Sequence, residues 1–120
     1  MKILIIEDEK PAARLLQRKV EKLGLHVETL LHSVEEALYW FTTNEHPDLI
    51  FLDIQLADGL SFEIFKDISV QSPVIFTTAY DQFALQAFSL YCIDYLLKPI
   101  SQPRLLEAIT KAKKIFESRI

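Results

Sequence analysis

The sequence predicts a doubly wound α/β sandwich in which five strands alternate with five helices. Three observations predict it. Five short runs rich in Ile, Leu, Val and Phe recur along the 120 residues, at Lys2–Ile6, Leu25–Leu31, Leu49–Leu52, Pro73–Thr77 and Ile93–Leu97. Several are continuously apolar rather than alternating, as strands covered on both faces of a parallel sheet are. The segments between them carry helical spacing and helix start signals.

Taken in order, the first run, KILII, meets three carboxylates at once: Glu7, Asp8 and Glu9. Pro11 then stands near a helix start, where a missing N–H costs nothing, and Gly24 closes that helix. The second run ends in Leu31 and His32, which suggest little chemistry. Ser33 with Glu36 forms a capping-box pattern. Val34, Ala37, Leu38 and Phe41 follow at i, i+3, i+4 and i+7, giving the second helix its apolar stripe. The third run, DLIFLD, delivers Asp53, and the fourth, PVIFTTA, ends in Thr77, Thr78 and Ala79. A helix expected over Asp81–Tyr91 carries Phe83, Ala84, Leu85, Ala87, Phe88, Leu90 and Tyr91 around much of its circumference. It is either deeply buried or offers its surplus to a partner. The fifth run, DYLLKP, supplies Lys98 and Pro99. Pro103 then opens a last helix with Leu105, Ile109, Ala112 and Phe116 along one stripe. No repeat, low-complexity segment or linker interrupts the pattern, so residues 1–120 read as one domain.

Bulk composition narrows the function. A net charge of −4 argues against direct nucleic-acid binding, since a phosphate backbone selects a basic face. The single cysteine, Cys92, excludes an internal disulfide, suits a reducing cytosol and reads as a small packed hydrophobe. No apolar run approaches the roughly 20 residues that cross a bilayer. Acid interrupts the first run too early for a signal peptide. The expectation is a cytoplasmic domain with no membrane partner. His26, His32 and His46 share no ligand spacing and are expected at the surface or an edge.

Open parallel sheets place their sites beyond the carboxyl ends of their strands. Sorted that way, Glu7 and Asp8, Asp53, Thr78 and Lys98 converge on one rim. In the flavodoxin-like order 2-1-3-4-5, the first and third strands are neighbours, which crowds Glu7, Asp8 and Asp53. Such carboxylates repel unless a cation intervenes, and Lys98 supplies one charge against three. A hard divalent ion with oxygen ligands, Mg²⁺, is the natural remedy. The same set suits phosphoryl transfer to a carboxylate: Asp53 as nucleophile, Thr78 and Lys98 holding phosphoryl oxygens. Each residue alone has an ordinary explanation, as helix-end decoration, cap or strand residue. Four of them at strand ends together do not.

KILIIEDE, LIFLDIQL, PVIFTTAYDQFALQAF and CIDYLLKPI together resemble the receiver domain of two-component response regulators, a CheY-like (βα)5 three-layer sandwich. The likeness spans essentially the whole chain, and its last two segments look most like receivers that precede a LytTR-type DNA-binding domain. The resemblance implies that a sensor histidine kinase phosphorylates Asp53. It implies Mg²⁺ ligation by Asp8, Asp53 and the backbone carbonyl of Gln55, with Glu7 acting through water. It also implies that Thr78 and Tyr95 form a switch, that the Lys98–Pro99 bond is cis, and that phosphorylation drives homodimerisation through the fourth helix, fifth strand and fifth helix. Any transcriptional output would lie in a DNA-binding domain outside these residues, unless the chain acts as a stand-alone receiver relaying phosphate. The domain would be a switch rather than an enzyme, at most catalysing its own phosphorylation and dephosphorylation. Two positions depart from the pattern after Asp53: Ala57 stands where Pro is common and Ser61 where Gly is common. A phosphatase using an aspartyl-phosphate would carry Asp-x-Asp after the first strand, where this chain reads Glu7-Asp8-Glu9. A flavin carrier would need a phosphate cradle there, which acids would repel.

Overall fold

The computed structural model describes residues 1–88 and 92–118. The chain runs β1 (Ile3–Ile6), α1 (Lys10–Glu21), β2 (Val27–Leu31), α2 (Val34–Thr43) and β3 (Leu49–Asp53). It continues through β4 (Gln55–Leu56), β5 (Gly59–Leu60), α3 (Phe62–Asp67), β6 (Val74–Thr78), α4 (Ala84–Phe88), β7 (Cys92–Leu97) and α5 (Gln102–Glu117). A five-stranded parallel sheet has the order β2-β1-β3-β6-β7. With the two-residue strands β4 and β5 set aside, this is the expected 2-1-3-4-5. Those two strands are an antiparallel hairpin of their own, closed through Ala57 and Asp58. The departures after Asp53 therefore form a hairpin, with Gly59 at φ +146°, a backbone state that a side chain would strain.

Because β1 and β3 are central, all their residues are buried and their side chains alternate between two cores. Leu4, Ile6, Ile50, Leu52 and Phe76 pack with α2 and α3. Ile3, Ile5, Leu49, Phe51 and Ile75 pack with α1 and α5. Phe51 and Phe76 are fully buried, one on each side, and each contributes on the order of 2–3 kcal/mol.

Helix ends follow the sequence signals with one addition. Pro11 and Pro103 fall in the first turns of α1 and α5, and Ser101 caps α5 by accepting the Arg104 N–H. Gly24, at φ +83°, donates its N–H to the Glu21 carbonyl and turns the chain out of α1. Ser33 caps α2 by accepting the Glu36 N–H, but the preceding amides, Val34 and Glu35, donate to Asp58 from the distant hairpin. Of the expected apolar fourth helix, Ala87 is fully buried and Phe83 packs against the core. Leu90 and Tyr91 lie outside the described residues, as do the side chains of Leu85 and Phe88. Cys92 is half-buried and its thiol donates to the Asp94 carbonyl, while burial pushes its pKa up to about 11. His26 stands 3.7 Å from Glu21, and His46 accepts the Gln71 N–H.

One polar cluster was not anticipated. Asp94, buried on β7, receives Arg104 through two N–H bonds (2.6 and 2.8 Å) and Lys111 at 3.0 Å, both from α5. Burial pushes its carboxyl pKa up, but the Arg104 and Lys111 hydrogen bonds prevail and bring it from 3.8 down to about 2. A depressed carboxylate stabilises the fold above its unfolded pKa and loses that contribution as pH falls through the folded value. Asp94→Asn is expected to cost about 2 kcal/mol in urea unfolding at pH 7. The gap should narrow between pH 4 and 2; a gap unchanged across that window would show that the charge plays no part.

Candidate functional site

The carboxyl rim of the sheet is assembled from the residues that end its strands. Glu7 leaves β1 with its N–H bonded to the Leu31 carbonyl of β2 (2.9 Å), which turns its side chain into the rim. Asp53 is the last residue of β3 and sits in register with Thr77 of β6. Glu7 and Asp53 are only 4% and 5% exposed, so their carboxylates are held with little water, whereas Asp8 is half-exposed. One oxygen from each of the three lies within 4.8 Å of the others.

Lys98, following β7, reaches across to this group. Its ammonium donates to Glu7 Oε1 and to Asp53 Oδ2, the latter at 3.0 Å. Burial alone would lower its pKa, but the Glu7 and Asp53 carboxylates raise it, so the ammonium is held firmly protonated. The sequence placed Lys98 on a phosphoryl group; here it bridges two acids. Glu7 Oε2 accepts the Glu9 N–H (3.1 Å), so both its oxygens are engaged within the chain. Asp53 Oδ1 accepts the N–H of Gln55 (3.3 Å). The Lys98–Pro99 peptide is cis, and the Lys98 N–H bonds to the Thr78 carbonyl at 2.8 Å. Thr78 is fully buried, and its hydroxyl oxygen accepts the Tyr80 N–H (3.2 Å). Tyr95 is half-buried, and its hydroxyl donates to the Tyr80 carbonyl.

One ammonium against three carboxylates leaves the pocket negative. Burial and the adjacent Glu7 accordingly push the Asp8 pKa above its ordinary value, despite the pull of its own backbone and Lys98. This all-oxygen, net-negative donor set fits a hard divalent cation, for which Asp8 and Asp53 would supply carboxylate oxygens. His32, passed over in the sequence, also belongs here: its Nδ1–H donates to the Glu7 carbonyl at 2.9 Å.

An open parallel sheet with acids, a hydroxyl and a lysine at the carboxyl ends of its strands defines a doubly wound domain with its candidate site on that rim. The family profile described as "Response regulator receiver domain" matches residues 3–110. The chain belongs to that family. It is 39% identical to the sensory transduction protein LytT of Bacillus anthracis, over all of this chain and 50% of that protein. It is 38% identical to the transcriptional regulatory protein LytR of Staphylococcus aureus, over 94% of this chain and 47% of that one. The chain thus spans about half the length of these relatives. Among solved structures it resembles the response regulatory domain of mrkE from Klebsiella pneumoniae, with TM-score 0.85, 28% identity, and 98% and 99% of the two chains covered. A response regulator from Clostridium difficile superposes with TM-score 0.81 at 30% identity, covering 95% and 96%.

The crowding makes a stability prediction. An acid whose folded pKa is raised begins to destabilise the fold as pH rises past its unfolded value, and does so fully above the folded one. Asp8→Asn should therefore raise metal-free stability at pH 7 by about 0.5 kcal/mol, a figure kept small by solvent screening. Urea unfolding in chelator checks this, with the gain vanishing below about pH 4. A neutral or destabilising result would mean the acids are not in conflict.

Proposed function

We propose that this receiver domain accepts a phosphoryl group on Asp53 from a sensor histidine kinase and passes the change to an output. The observation that carries the reading is the Asp53 carboxylate, buried at a strand end with Lys98 on one oxygen and two further acids beside it. Mg²⁺, when bound, would neutralise these acids and the charge of the incoming phosphoryl group.

The chain's own residues do the rest. An Asp53 oxygen attacks phosphorus, the phosphorus–nitrogen bond of the donor phosphohistidine breaks, and the histidine nitrogen keeps the bonding pair. Lys98 exchanges its Asp53 contact for a phosphoryl oxygen, which a flexible ammonium with three donors can do. Thr78 turns its hydroxyl proton to another, giving up the Tyr80 N–H. Because the Tyr95 hydroxyl rests on the Tyr80 carbonyl, Thr78 and Tyr95 are joined through one residue. Rotation of Thr78 thus loosens Tyr95, shifting an existing equilibrium rather than building a new fold.

The face this reshapes includes edge strand β7 and α5, where Leu97 and Leu106 are about half exposed. That surface supports a phosphorylation-dependent homodimer. The LytR relative is a transcriptional regulatory protein of about twice this length. By that likeness the output here is transcription through a separate LytTR DNA-binding domain.

Treatment with a small phosphodonor such as acetyl phosphate should label the wild type only when Mg²⁺ is present. Asp53→Asn should remain folded by circular dichroism and take no label. Labelling that persists in Asp53→Asn would place the acceptor elsewhere.

A further inference from the structure

The β4–β5 hairpin follows Asp53 directly and carries Gln55, whose N–H fixes Asp53 Oδ1. Two paired residues on each side cannot hold such a hairpin in place by themselves. Part of its anchorage is the buried Leu56, and part is the Ser61 N–H on the Ile54 carbonyl (2.8 Å). A further tie lies at its tip. Asp58 Oδ1 accepts the Val34 N–H at 2.9 Å, and Oδ2 accepts the Glu35 N–H at 3.0 Å.

These are the first two amides of α2, which a helix cannot satisfy internally. Burial would raise the Asp58 pKa, but the two amides outweigh it and hold the carboxyl below its ordinary value. At the same corner His32 grips the Glu7 carbonyl. The turn from β2 into α2 therefore touches both sides of the acidic rim, the Glu7 side through His32 and the Asp53 side through the hairpin.

We propose that Asp58 is a positioning residue: by clasping the start of α2 it fixes the hairpin, and through Gln55 the orientation of the Asp53 carboxylate that meets the cation. This deepens the receiver reading and rests on it.

Ser33 provides the control, because it caps the same helix through Glu36 without touching the hairpin. Asp58→Ala, Asp58→Asn and Ser33→Ala are compared with the wild type by urea unfolding, by calorimetric titration with MgCl₂ and by amide hydrogen exchange. Both alanine variants should lose similar stability, since each removes cap bonds from one helix. Asp58→Ala should weaken Mg²⁺ binding by about tenfold, as loss of a group supporting a ligand does. Asp58→Asn, which keeps one acceptor oxygen, should fall between, and Ser33→Ala should bind as the wild type does. Exchange at the Gln55 amide should quicken in Asp58→Ala and not in Ser33→Ala.

Equal Mg²⁺ affinity and equal Gln55 exchange in the two alanine variants would overturn the proposal by reducing Asp58 to a helix cap. A wild type that takes up no Mg²⁺ would instead sink the metal reading itself. In that event Gln55 exchange alone still decides whether Asp58 positions the hairpin.

Discussion

The structure is organised around a repulsion. Three carboxylates have oxygens within 4.8 Å of one another, two of them almost out of reach of water. Two unit charges at such a distance repel by about 3 kcal/mol at an effective dielectric near 20. The arrangement exists because β1 and β3 are adjacent, parallel and buried on both faces, so their ends cannot splay apart without opening both cores. Lys98 offsets part of the conflict by bridging Glu7 and Asp53, at the cost of fixing its own long side chain. What is left over is a pocket whose remaining affinity is for positive charge. Packing sustains an electrostatic tension that a ligand would relieve.

Around that pocket, some parts are held much more firmly than others. The backbone of Tyr95 is pinned, because its N–H donates to Asp94, which Arg104 and Lys111 clamp to α5. Its ring reaches out to the loop after β6, where the hydroxyl meets the Tyr80 carbonyl. A fixed base with a tip resting on a loop is suited to report movement of the loop rather than of the helix. The loop in turn depends on Thr78, through the Tyr80 N–H. Thr78 and Tyr95 are thus joined by two hydrogen bonds through Tyr80, apart from the charged clamp on Asp94.

Sequence reasoning recovered what is local and missed what is not. Glu7, Asp8, Asp53, Thr78 and Lys98 were legible because each follows an apolar run, and the direction of a parallel strand decides which end faces the rim. The strand order follows from the flavodoxin-like fold class rather than from the runs themselves, and boundaries differ by only a residue or two, as with Val74–Thr78 for the expected Pro73–Thr77. Asp58, His32 and Asp94 were not legible. Asp58 bonds Val34 and Glu35, and His32 bonds Glu7, across 23 to 25 residues of chain. No periodicity encodes such meetings. A pair such as Asp58-Gly59 marks a turn in the sequence, but a turn says nothing of what its carboxylate will find. For Asp94 the signal was thinner still, since Arg104 and Lys111 look like ordinary solvated residues of an amphipathic helix.

The two sides of the sheet are also built unequally, and the inequality has a direction. One side is covered by α1 and α5, of 12 and 16 residues, tied together where Lys19 donates to the Ile100 carbonyl at 2.6 Å. The other carries α2, α4 and the six-residue α3. A helix as short as α3 has scarcely repaid its nucleation and depends on tertiary contacts to persist. Thr78 shares the strand parity of Phe76, which packs on this second side, and Tyr95 packs there as well. Thr78 and Tyr95 therefore face the side of the sheet that carries α3. On the receiver reading, a change at Asp53 would reach the surface through the side on which Tyr95 packs.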